Sequence, residues 1–149
     1  MNDVTIAKAE IREVINDYAM LLDTDIRDDS HNDEMAAFFT DDATLTGLTW
    51  HAEGADQIRE RLAARPQDQR TRTYLSTCHI TLSSPTEAAV RVYVHAYHGK
   101  GGEPPFTMRA DGPAGPADPG VGEWRLRLRK TEAGWRISFY EAVGPTFVQ

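Results

Sequence analysis

Apolar side chains recur at Ile11, Val14, Ile15, Tyr18 and Leu22. That is the spacing of one helical face, and it predicts a helix over residues 6–22. Asp3 and Thr5 are the candidate caps for its start. A second, short helix is expected from Ser30, which has capping-box spacing to Asp33 and precedes the apolar patch Met35, Phe38 and Phe39. Asp41 and Asp42 break the pattern, and residues 43–48 read as a short strand. A third helix is expected over residues 55–64, after Gly54 and stopped by Pro66. From residue 71 the period changes to two. Residues 74–82, 88–97, 123–130 and 135–142 all alternate as strands do, with Ser83-Ser84-Pro85 and Glu132-Ala133-Gly134 as turns between neighbouring runs. Helices followed by an antiparallel meander describe an α+β arrangement, with the helices covering one sheet face.

Residues 99–120 interrupt the strands and hold six of the eleven glycines and five of the eight prolines. Such a stretch is not expected to be regular structure; it is either a lid over a ligand site or a surface loop. There are no internal repeats.

With 149 residues, the chain is sized for one domain. Composition narrows the function classes. Apolar residues make up 40% and charged ones 26%, which is ordinary globular usage. The net charge of −7, without a clustered basic block, argues against a nucleic-acid partner, because phosphate contacts need grouped Lys and Arg. No apolar run approaches the roughly 18 residues that span a bilayer, so no membrane partner is expected. The opening segment MNDVTIAKAEIREV is charged and lacks the apolar core of a signal peptide. With a single cysteine and no metal-finger spacing, a cytoplasmic location follows as the expectation.

Four segments occur in the order seen in a known family: YAMLLD (Tyr18 to Asp23), FFTDDATLTG (Phe38 to Gly47), EGADQIRERLAARP (Glu53 to Pro66) and GWRISFY (Gly134 to Tyr140). On these motifs the chain resembles the SnoaL-like branch of the nuclear transport factor 2-like superfamily, over nearly its whole length except residues 99–120. The resemblance implies a cone-shaped curved sheet wrapped by three N-terminal helices around an apolar, ligand-sized pocket, commonly in a homodimer. It does not fix a function. Members include ketosteroid isomerase, scytalone and bile-acid dehydratases, limonene-type epoxide hydrolase, polyketide cyclases, dioxygenase small subunits and interaction modules, so the site residues must decide.

Tyr18 and Asp23 match active-site positions of the bile-acid dehydratase-like relatives, and in ketosteroid isomerase the matching Tyr donates to a developing oxyanion. A buried phenol needs a partner, which a bound carbonyl would supply. A carboxylate at a pocket mouth can serve as a general base. The alternative makes Tyr18 core and Asp23 a surface residue or cap. Arg91, Tyr93, His95 and Tyr97 alternate with Val90, Val92, Val94 and Ala96, so the four share one face. Matching to ketosteroid isomerase puts Arg91, Tyr93 and His95 toward the pocket, where a histidine could pass a proton near neutral pH. The rival reading turns that row outward and makes the valines core. Tyr74 stands where many relatives carry a pocket histidine, and Cys78 replaces their Asn; a phenol there could hydrogen-bond but is a poor neutral-pH base. Trp124, with Leu126 and Leu128, is expected to face the interior, and Tyr140 is a candidate lining residue.

Two family chemistries are demoted. The isomerase base position falls on Gly47 and its second acid on Trp124. The epoxide-hydrolase aspartate is missing from EWRLRLRK. The acidic run Asp23 to Asp33 lacks the ligand pattern of a calcium loop, and His95 with His98 would point to opposite faces, so no metal and no cofactor are expected. Arg125, Arg127 and Arg129 form a basic row read as solvated or salt-bridged. The leading expectation is a cofactor-independent enzyme doing acid/base chemistry (dehydration, isomerisation or cyclisation) on an apolar oxygenated molecule such as a polyketide or steroid-like intermediate. Asp23 and His95 are expected to share the base and acid roles, Tyr18 and Tyr74 to hold the substrate oxygen, and Arg91, Tyr93, Trp124 and Tyr140 to line the site. The alternative is a non-catalytic ligand-binding or dimerising module of the same fold.

Overall fold

Asn2, one residue ahead of either candidate cap, starts the first helix: its side-chain oxygen accepts from the Thr5 N–H at 2.8 Å and the Thr5 hydroxyl at 2.9 Å in the computed structural model. Thr5 is therefore the capped residue and not the cap. Residues 2–25, 28–100, 108–109, 112–113 and 120–144 are described. Helix α1 spans Asp3–Leu22 and buries Ile11, Ile15, Tyr18 and Ala19, the stripe that the spacing predicted. Helix α2, Asp29–Ala36, is capped by Asp28, whose side chain accepts from the His31 N–H at 2.9 Å, so it begins one residue before Ser30. Helix α3 covers Gly54–Ala63; Gly54 takes φ +79°, a conformation open to glycine at little cost.

The strands are β1 (Phe39–Thr46), β2 (His51–Glu53), β3 (Gln69–Ser84), β4 (Glu87–Lys100), β5 (Met108–Arg109), β6 (Gly112–Pro113), β7 (Gly120–Thr131) and β8 (Gly134–Val143). Six form one sheet in the order β2-β1-β8-β7-β4-β3, and β5 pairs with β6 separately. The meander β3-β4-β7-β8 is antiparallel as expected, but β1 enters it parallel to β8, making the sheet mixed. Asp41 and Asp42 lie inside β1 with exposed side chains, at the register shift between Phe39 and Thr44, and do not end the strand. Strand β3 begins five residues earlier than the alternation suggested, and that extension carries Thr71 and Thr73. Of the 99–120 loop, Gly99 and Lys100 continue β4 and Gly120 opens β7. Residues 108–109 and 112–113 are the short pair, and the lid reading otherwise falls outside the described residues.

The alternation along β4 has one outcome. Val90, Val92 and Val94 are buried, while Arg91, Tyr93 and His95 are exposed. The opposite orientation would put three valines in water, forfeiting roughly 1.5–3 kcal/mol each, and would desolvate a guanidinium. Facing the valines from β7 are Trp124 and Leu126, at registers Val92↔Trp124 and Val90↔Leu126. Leu128, Ile137, Met35, Phe39 and Ile58 complete the same core. Helix α1 is tied to β8 by the Trp135 indole N–H, which donates to Glu10 at 3.1 Å. The basic row pairs within the chain: Arg125 reaches Glu123 and Glu141, Arg129 reaches Asp42, and Arg127 lies over Phe139.

Strands β7 and β8 pack so closely at Gly122 that a Cβ there would collide with the Val143 carbonyl oxygen. Gly122→Ala is therefore expected to cost about 2 kcal/mol through forced strand separation, read as a lower denaturant midpoint with the strand signal retained in circular dichroism.

Candidate active site

The inner sheet face and the helices enclose a cavity of about 380 Å³. Its apolar end is an aromatic cluster contributed by α1, β1, β7 and β8. Tyr18 meets Phe39, Trp124 and Tyr140 edge-on, with ring centroids 5.6, 5.5 and 6.4 Å away. Burial pushes the Tyr18 phenol up to about 12, partly opposed by the Arg65 charge, and also raises the Tyr140 phenol well above its ordinary value. Both phenols therefore stay protonated at neutral pH and can donate a hydrogen bond. Neither hydroxyl has a hydrogen-bond partner among the described residues.

The polar end is built by the end of α1, the residues after α3, and the paired ends of β3 and β4. Thr71 and Thr73 of β3, His98 of β4 and Arg65 after α3 all line the cavity. His98 stands opposite Thr71 in the β3–β4 ladder. His98 is exposed where it lines the cavity, and partial burial is the main cause lowering its pKa from the ordinary 6.5; the Arg65 charge adds to it and Asp23 opposes it. His98 is thus a neutral imidazole at pH 7, able to accept a proton.

Asp23 lies behind this wall at the C-cap of α1. Its Oδ1 accepts from the Thr71 hydroxyl at 2.8 Å and the Thr73 hydroxyl at 2.9 Å, and its Oδ2 accepts from the Thr73 N–H at 2.5 Å. Three donors fix the carboxylate and staple α1 to β3. The mouth is flanked by Trp50, which stacks under the Arg61 guanidinium at 4.6 Å and packs against Gly47.

Of the expected site residues, the structure brings Tyr18, Trp124 and Tyr140 into the cavity and sets Asp23 directly behind it. It does not bring the others. His95 is exposed on the outer face, with Tyr74 opposite it in the β3–β4 ladder and 61% exposed. Tyr93 is 47% exposed on that face. Arg91 is exposed there too, its Nε donating to Glu123 at 2.8 Å. The acid/base role placed at His95 and the substrate contacts placed at Tyr74, Arg91 and Tyr93 are corrected on this ground: the valine row claims the inner face of β4, and Tyr74 is turned outward beside it.

Parity held the missing signal. Once Val90, Val92 and Val94 face inward, Ala96 and His98 follow them. Arg65 offered no such signal, because an arginine just past a helix end reads as a partner for that helix's carbonyls. Cys78 is half-buried and burial pushes its thiol up, so it is no ready nucleophile. Among the described residues, no three His, Cys, Asp or Glu side chains group as a metal site, and no helix is long and apolar enough to cross a membrane.

These features sit in a recognisable fold. The model of the SnoaL-like domain matches residues 4–141. A protein from Novosphingobium aromaticivorans named for scytalone dehydratase is 22% identical, with 99% of this chain and 92% of that chain aligned at a TM-score of 0.77. A nuclear transport factor 2-like protein with a cystatin-like fold from the same organism is 18% identical, covering 97% of this chain and 86% of that one at 0.70. A type 2 hexachlorocyclohexane dehydrochlorinase is 13% identical, covering 98% and 90% at 0.72. At such identities the likeness is one of fold. No protein of curated function matches the sequence. The chain, with three helices ahead of a mixed sheet and a cavity between them, belongs to the SnoaL-like domain family.

Proposed function

We propose that this protein is a small-molecule enzyme that transfers protons on an apolar, oxygenated substrate, in a dehydration, isomerisation or cyclisation that needs no cofactor. One observation carries the reading: a neutral imidazole, His98, shares one cavity with two phenols that burial keeps protonated, Tyr18 and Tyr140. His98 takes a proton from carbon next to a carbonyl. Tyr18 or Tyr140 donates to the carbonyl oxygen, where negative charge develops. Asp23, held by Thr71 and Thr73, favours the imidazolium formed in that step and is a positioning residue. The imidazolium then returns the proton, to a leaving hydroxyl in a dehydration or to another carbon in an isomerisation. Two structural relatives, one named for scytalone dehydratase and one a hexachlorocyclohexane dehydrochlorinase, are compatible with proton abstraction in this fold.

A second reading, a ligand-binding protein without catalysis, is favoured by Asp23 itself. A carboxylate with three donors bound, fastening helix to strand, is also what a purely structural role would look like.

The two readings separate in an exchange experiment. With 1-tetralone in D₂O, the enzyme reading expects deuterium to enter the α-position faster than in buffer, followed by NMR. His98→Gln should slow this by about 100-fold, and binding of the ketone with no exchange would establish the second reading instead. The exchange rate should also depend on pH in a set direction. The base works unprotonated and its folded pKa is lowered from 6.5, so the rate should fall on the acid side with a midpoint below pH 6.5; a midpoint above pH 6.5 would exclude His98 as the base.

As to partners, the exposed face carrying Tyr74, Tyr93 and His95 suits a second copy of the chain. A dimer is expected by sedimentation, shifting toward monomer in Tyr93→Glu.

A further inference from the structure

We infer that the molecule taken by this cavity carries a carboxylate, received by Arg65; the inference rests on the small-molecule site proposed above and names the chemical class of its ligand. Six guanidinium groups among the described residues are matched by carboxylates. Arg59, Arg70, Arg72, Arg91, Arg125 and Arg129 each reach a carboxylate. Arg65 differs: it is half-buried, lines the cavity, and has neither an ion pair nor a side-chain hydrogen bond among the described residues. Its one interaction in the hydrogen-bond pattern is the backbone N–H to the Leu62 carbonyl at 3.3 Å.

A partly desolvated guanidinium with unused donors is costly, and the cost is removed when a carboxylate occupies its fork. The acidic groups nearby do not supply one. Both oxygens of Asp23 are engaged by Thr71 and Thr73. Glu123 turns its carboxylate outward to Arg91, at 2.8 and 3.1 Å. The phenols of Tyr18 and Tyr140 are uncharged. Arg61, stacked on Trp50 at the mouth, adds a second positive group to the same wall. Arg61 and Arg65 thus put two positive groups on the cavity wall, with the Asp23 carboxylate behind it as the opposing charge. The apolar aromatic end would hold a ring system while Arg65 anchors the carboxylate, leaving the middle of the molecule beside His98 and the phenols.

The test is calorimetry on the full chain with 2-naphthoate and its uncharged counterpart 2-naphthamide. The parent should bind the carboxylate at least ten-fold more tightly, and Arg65→Gln should abolish that preference while leaving the amide's affinity unchanged. Arg65→Lys should retain part of it. Because the replaced charge has no ion pair or side-chain hydrogen bond among the described residues, Arg65→Gln should melt at or above the parent's temperature; a clear drop would assign Arg65 a structural role and overturn the inference. Equal affinity for the two probes in the parent, or a preference that survives Arg65→Gln, would overturn it while leaving the apolar cavity as a ligand site. Failure of both probes to bind would overturn the inference together with the small-molecule site on which it rests.

Discussion

Three valines on alternate positions of β4 govern the geometry of this protein. Val90, Val92 and Val94 pack inward against Trp124 and Leu126 of β7, and the period-two pleat then leaves no freedom for their neighbours. Arg91, Tyr93 and His95 must face out, and Ala96 and His98 must face in. The position of the cavity, the identity of its histidine and the chemistry of the outer face all follow from this choice of face. A one-residue slip of β4 would exchange every role along that strand. Burial energy holds the register, since Val90, Val92 and Val94 would go to solvent together.

Within the cavity, burial acts differently on each titrating group. Desolvation disfavours charge, so it keeps Tyr18 and Tyr140 protonated and keeps His98 neutral. It also weakens the hold of Arg65 on its proton, although an arginine stays charged even so. The cavity therefore offers donors, one acceptor and one guanidinium, arranged around apolar rings. Asp23 adds negative charge from behind the wall, at a distance that leaves its own oxygens occupied by threonines. In this arrangement the carboxylate and imidazole lie on different elements, α1 and β4, with β3 threonines between them. The end of α1 and the start of β3 are therefore mechanically part of the site.

Much of the fold was legible in the chain. The stripe of α1, the end of α3 before Pro66, and the meander of four alternating strands each depend on interactions between residues near in sequence, which periodicity reports directly. The ordered motifs from Tyr18 to Tyr140 identified the family, and Tyr18, Trp124 and Tyr140 were singled out as candidates for the cavity they line. Other features were not legible. Nothing local says that β1 pairs parallel to β8, because that pairing joins segments about a hundred residues apart. The N-terminal extension of β3 was hidden because QRTRT is polar and its alternation is between threonine and arginine.

Sequence alone determined which residues share a face, and so determined that Arg91, Tyr93 and His95 travel together. It could not determine which face looks inward, because alternation is symmetric until another layer covers one side. Helix α1 supplies that layer through Tyr18, which packs on Trp124 beside Val92 on the same sheet face, and this contact selects the valines for the interior and, with them, His98. Arg65 shows the same division more sharply. Its charge is written in the chain, but its lack of an ion pair among the described residues is a property of what surrounds it: threonines that occupy the oxygens of Asp23 and an outward ion pair that occupies Glu123. Chemistry carried by residue type was therefore available at the start, whereas the convergence of those residues on one cavity depended on packing between distant elements.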